Sequence, residues 1–191
     1  MTHLFPPLVA ATLLLAPTFD IAARAEGGFH KRLTLQGVTF VVHGVGEGSM
    51  QQLSISTKGA KPPIQPIRQT VEGQVVGAEV ADLNSNGLPE IYAFVVGAGS
   101  GSYGQLVAYK VRKGFDQLAP INLPQLSGAM AEGYQGHDQF SVVEGCLVRR
   151  FPIYTPGDAN AKATGGERQI CYKFKTGDAD RTLQPTSILK L

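Results

Sequence analysis

The segment Gln105–Arg112 reads QLVAYKVR: Val107, Tyr109 and Val111 point one way, and Ala108, Lys110 and Arg112 the other. That period of two is what a β-strand imposes on its side chains. The same alternation recurs in Arg32–Val42, Gln52–Thr57, Ile67–Val71, Gln74–Val80, Ile91–Val96, Phe140–Phe151, Arg168–Phe174 and Ser187–Lys190. Within Arg32–Val42 the phase shifts at Gly37, which is read as a β-bulge. Helices have little room. The chain carries 23 Gly and 12 Pro, and beyond residue 25 the longest stretches free of both are 10 residues, Ser49–Lys58 and Glu167–Thr176. A glycine inside a helix costs about 1 kcal/mol relative to Ala, and a proline about 3. The expected fold is therefore all-β, a single antiparallel β-sandwich or barrel of about eight strands.

The 191 residues suit one domain of this kind, with a net charge of +2 and 43% hydrophobic residues. No block of like charge is present, which disfavours nucleic acid as a partner. Leu8–Ala16 is an apolar run followed by Ala23-Arg24-Ala25, a small-x-small site. Residues 1–25 are read as a secretory signal and 26–191 as the exported β domain, with no membrane segment after cleavage. Export suits a disulfide between Cys146 and Cys171. If their strands pair around Asp158–Ala159 the two cysteines lie nearly opposite, the alternative being two free buried thiols.

Several motifs hint at chemistry. Gly99-x-Gly101-x-x-Gly104 matches a dinucleotide fingerprint, but a strand follows it where a phosphate-binding helix is required. Ala81–Glu90 (ADLNSNGLPE) spaces Asp82, Asn84, Asn86 and Glu90 like a calcium loop, although its twelfth position is Ala93 rather than Glu. The simpler reading is a hairpin turn in which Asp and Asn side chains bond their own backbone and Asn86-Gly87 take positive φ. His137-Asp138 is no acid–base pair, because adjacent extended residues face opposite ways. A hydrolase built on Ser100 lacks a base, and no cofactor is expected. What remains is Gly97–Gly104, GAGSGSYG, a permissive loop carrying the hydroxyls of Ser100, Ser102 and Tyr103. Placed at i and i+3 of a β-turn, Ser100 and Tyr103 reach into one narrow cleft.

The run Ser100-Gly101-Ser102-Tyr103 resembles the Ser-Gly-x-Tyr motif of bacterial periplasmic lysozyme inhibitors. The wider chain is similar to the inhibitors of invertebrate-type (I-type) lysozyme in LTLQGVTFVV (Leu33–Val42), GAEVADLNSNGLPEIYAF (Gly77–Phe94), GAGSGSYGQLVAY (Gly97–Tyr109), GYQGHDQFSVVEG (Gly133–Gly145), LVRRFPIY (Leu147–Tyr154) and DANAKATGGERQ (Asp158–Gln169). The resemblance implies an exported, periplasmic, non-catalytic all-β protein whose partner is an I-type lysozyme. Ser100, Gly101, Ser102 and Tyr103 would enter the enzyme's cleft and block its catalytic carboxylates. Likeness to the family also suggests a homodimer. Lys110, Arg112 and Lys113 are read as steering the loop toward that acidic cleft. The competing expectation is a calcium-dependent β-sandwich adhesin or carbohydrate-binding module that uses Asp82–Glu90.

Overall fold

The computed structural model describes residues 28–114, 116–175 and 181–191. The proposed signal, residues 1–25, lies outside the described residues. The described chain forms twelve strands in three antiparallel four-stranded sheets, none closed into a barrel. The first sheet runs β1 (Phe29–Leu35), β2 (Val38–Val45), β3 (Met50–Lys58) and β4 (Ile67–Glu72). The second runs β5 (Gln74–Ala81), β6 (Glu90–Val96), β7 (Gly104–Val111) and β8 (Leu118–Ile121). The third has the order β12 (Leu183–Lys190), β11 (Glu167–Phe174), β10 (Cys146–Pro152) and β9 (Gln139–Val143). A 3-10 turn, Gly128–Met130, lies between the second and third sheets in sequence. Among the described residues no helix is long and apolar enough to cross a membrane.

The second sheet is the middle layer, and β6 shows why. Its residues Glu90–Val95 are all buried, which an exposed-face strand cannot be. Ile91, Ala93 and Val95 join Val38, Phe40, Val42, Leu53 and Ile55 of the first sheet in one apolar cluster. Tyr92 and Phe94, on the opposite face, join Leu147, Phe151, Ile170, Tyr172 and Leu183 in a second. Each fully buried Ile or Val contributes roughly 1.5–3 kcal/mol relative to an exposed one. Two cores sharing one sheet thus hold three layers together.

The expectation of one sandwich or barrel of about eight strands is corrected by two hairpins that had been read as single strands. Gln36 (φ 49°) and Gly37 (φ 78°) form a two-residue turn between β1 and β2, not a bulge. Glu144 (φ 50°) and Gly145 (φ 73°) do the same between β9 and β10, inside the supposed strand Phe140–Phe151. Paired positive φ values match the right-handed twist of the flanking strands, the type I′ geometry. The alternation resumes so regularly on either side that the sequence reads as continuous. Strand β8 was missed because LAPI is four residues long and contains Pro120, which an edge strand tolerates.

Cys146 and Cys171 are joined in a disulfide with Cα atoms 5.7 Å apart. The pairing differs from the expected one. Cys171 faces Val148 and Tyr172 faces Leu147, so Cys146 sits two residues along β10 and bonds diagonally rather than directly across. By chain entropy, closing a span of 25 residues restricts the unfolded chain by about 3 kcal/mol.

Candidate functional site

The loop between β6 and β7 leaves the buried middle sheet and is closed at its base where the Gly97 amide donates to the Tyr103 carbonyl at 2.9 Å. Inside it, the Ser102 amide donates to the Gly99 carbonyl at 2.9 Å. The β-turn therefore spans Gly99–Ser102, one residue earlier than the expected Ser100–Tyr103. Ser100 occupies its exposed corner, and Ser102 takes a left-handed φ of 43°. Tyr103 folds its ring over Gly101, where a Cβ would lie 2.5 Å from the ring, and meets the edge of Tyr134 at 5.6 Å. The Tyr103 side chain is nevertheless not absorbed by the core: the residue is 51% exposed.

Loops of the third sheet hold this hairpin from outside. The His137 amide donates to the Gly101 carbonyl at 2.7 Å, and Asn160 Nδ2 donates to the Ser100 carbonyl at 2.9 Å. Gly136, at φ 94°, packs directly on the Gly101 carbonyl, so a side chain there has no space. These bonds engage the loop's backbone rather than its hydroxyls. Asn160 is itself fixed, since Tyr154 donates to its carbonyl at 2.6 Å. Asp158 folds the surrounding segment by accepting the amides of Thr155 and Thr164 at 2.7 and 2.9 Å. Those bonds hold the Asp158 carboxyl at about 2, below its usual range.

At the loop's exit lies a buried polar group. Asp138 is 6% exposed and accepts three donors: Arg149 Nε at 2.7 Å, the Gly104 amide at 2.7 Å and the Tyr134 hydroxyl at 2.6 Å. Arg149 also donates to the Tyr134 oxygen at 2.8 Å, and its guanidinium lies over the rings of Tyr134, Phe140 and Phe151 at 5.1–5.8 Å. Burial works against the arginine's charge, and Asp138 outweighs it. Burial, then the bond to Asp138, pushes the Tyr134 phenol above its ordinary range.

The steering set is rearranged. Lys110 is buried, at 4% exposure, with its ammonium 5.7 Å from the Phe174 ring. The face of β7 that carries Ala108 and Lys110 is covered by the third sheet. Lys110 is accordingly no steering residue. Arg112 and Lys113 are exposed but lie beyond the far end of β7, about 25 Å of strand from the loop. With Lys110, Gln117 and Arg181 they line a separate cleft of about 650 Å³.

The turn Asp82–Glu90 sits at that same far end. Asp82 accepts the amides of Asn86 and Gly87 at 3.0 and 2.9 Å, and Gln36 Nε2 at 2.7 Å. Asn84 Oδ1 accepts the Asn86 amide at 3.2 Å, and Asn86 Oδ1 accepts the Leu88 amide at 2.8 Å. Glu90 points into the core and accepts the Leu83 amide at 2.7 Å. The left-handed residues are Ser85 (φ 55°) and Gly87 (φ 80°), so Ser85 takes the place expected of Asn86. The oxygens of Asp82, Asn84 and Asn86 that are spaced like calcium ligands thus accept the turn's own amides, as does one of the two Glu90 oxygens. Among the described residues no three of His, Cys, Asp and Glu converge as a metal would require.

Sequence reading singled out Ser100, Gly101, Ser102 and Tyr103 and gave no part in holding them to Tyr134, Asp138, Arg149 or Asn160. A glycine pair in contact across 35 positions, Gly101 with Gly136, leaves no local pattern to find. No protein-family model, no curated protein and no solved structure matches the chain.

Proposed function

We propose that this protein is an exported, periplasmic inhibitor of I-type lysozyme that inserts the loop Gly97–Tyr103 into the enzyme's active-site cleft. The observation that carries the reading is a loop whose backbone is tied down by neighbouring elements while Ser100 and Tyr103 stand exposed at its surface. Binders present contacts in this way, on a loop held by a rigid scaffold. Three of the segments that resemble the inhibitor family, Gly97–Tyr109, Gly133–Gly145 and Asp158–Gln169, meet at this loop through the bonds of His137, Asp138 and Asn160.

A lysozyme cleaves its glycosidic bond with two carboxyl groups roughly 5–9.5 Å apart. The hydroxyls of Ser100 and Tyr103 each donate to one of them, and the inserted loop excludes substrate and water. A hydrogen bond to an ionised group contributes about 1.5–3 kcal/mol. The protein acts here as a binder rather than a catalyst: Asp138, the carboxylate at the loop's exit, is already occupied by three donors.

The test is an activity assay of invertebrate-, chicken- and goose-type lysozymes titrated with the purified protein. Inhibition of the invertebrate type is expected, with Ser100→Ala and Tyr103→Phe each weakening it about 10- to 100-fold at unchanged melting temperature. Full activity of all three enzymes, or unchanged inhibition by both variants, would overturn the reading.

A further inference from the structure

We propose that Asp138 is the positioning residue of the loop Gly97–Tyr103, holding it in its binding conformation before any partner arrives; this rests on the reading of the loop as the inhibitory element. The carboxylate stands on the chain just before β9, yet one of its three donors is the amide of Gly104, the first residue after Tyr103. The two segments also approach closely at Gly104. A Cβ there would lie 2.5 Å from Asp138 Cβ and 2.9 Å from the Phe140 ring. Arg149 Nε holds Oδ1, and the Tyr134 hydroxyl shares Oδ2 with the Gly104 amide, which orients the carboxylate toward that amide. With the His137 amide on Gly101, the link joins the outgoing arm of a middle-sheet hairpin to the third sheet.

A loop with three glycines among seven residues has many conformations to lose on binding. If only a fraction is competent, apparent affinity falls by that fraction. The link to Asp138 therefore acts on association, whereas Ser100 and Tyr103, which touch the partner, act on dissociation. This separation distinguishes positioning from direct contact. It also distinguishes it from irreversible unfolding, which lowers the active concentration without changing either rate constant, and the unchanged β6 core amides exclude reversible global unfolding.

The experiment compares wild type with Asp138→Asn by two measurements. In the free protein, amide exchange at Ser102–Gly104 is followed by NMR; in the complex with I-type lysozyme, association, dissociation and stoichiometry are measured. The expected result is exchange at least 10-fold faster in the loop with the β6 core amides unchanged. Association slows about 10-fold, while dissociation stays within 2-fold and binding remains one to one. Removing one partner of a buried ion pair can prevent folding, so Asp138→Leu with Arg149→Met, which removes both charges, serves as the second variant. Unchanged loop exchange, or a loss confined to dissociation, would overturn the assignment. If wild type fails to bind the lysozyme, the inhibitory reading falls with it, while exchange in the free protein still decides whether Asp138 holds the loop.

Discussion

Strand β6 enters and leaves the middle of the protein through two connections that solve the same problem in opposite ways. The turn Asp82–Pro89 is held by its own side chains: Asp82, Asn84 and Asn86 spend their oxygens on amides within it, and Glu90 takes the amide of Leu83. The loop Gly97–Tyr103 contributes no such side chains. Its braces come from His137, Asp138 and Asn160, on segments distant in sequence. A connection that spends its polar groups on itself has little left for a partner. One that borrows its support keeps its hydroxyls free.

The largest expected effect tests the self-contained end. Glu90 is fully buried, directly across from Lys110 on β7, and burial raises its carboxyl from 4.5 to about 7. The folded state therefore favours the protonated form more than the unfolded chain does. The associated stability is fully present below about pH 4.5 and is lost as pH rises through 7, an upper bound of about 3 kcal/mol. Chemical denaturation from pH 4.5 to 8 should show this decline, and Glu90→Gln should flatten it. An equally steep decline in the variant would show that another group is responsible.

Next in size, Asp82→Ala removes the acceptor of three donors and should lower stability by about 2 kcal/mol, read from a denaturation midpoint. Lysozyme inhibition should stay within 2-fold, since the turn lies at the opposite end of β6. A parallel loss of inhibition would break the division between the two ends. The same end decides the competing calcium reading. Millimolar calcium or a chelator should leave the melting temperature within about 1 °C, because specific binding to the native state would raise it by mass action.

Legibility in the sequence follows the same division. Alternation exposed eleven of the twelve strands, two pairs of them merged, because β2 and β3 or β6 and β7 declare their faces within a few residues. The two-residue turns at Gln36-Gly37 and Glu144-Gly145 were lost because they interrupt the period too briefly. Lys110 was misplaced because alternation tells which residues share a face but not whether another sheet covers that face. The hairpin turn at Asp82–Glu90 was readable, as its spacing and its bonds are both local. Ser100 and Tyr103 were readable as exposed hydroxyls, yet the groups that hold them were not. Arg149, Asp138 and Gly104 meet only after two sheets have packed.

The smallest effect probes a single brace at the loop's tip. Asn160 is exposed, and its bond to the Ser100 carbonyl joins two surface segments, so Asn160→Ala should change global stability by less than about 0.5 kcal/mol. Its influence on inhibition should be larger than its influence on stability, because that carbonyl belongs to the residue placed at the target's carboxylates. A loss of about 3-fold in the inhibition constant, at an unchanged melting temperature, is expected. Were the loop positioned by its own turn, as Asp82–Pro89 is, the substitution would leave inhibition unaltered. The ratio of the two effects, rather than either alone, therefore measures how far the loop depends on support from the third sheet.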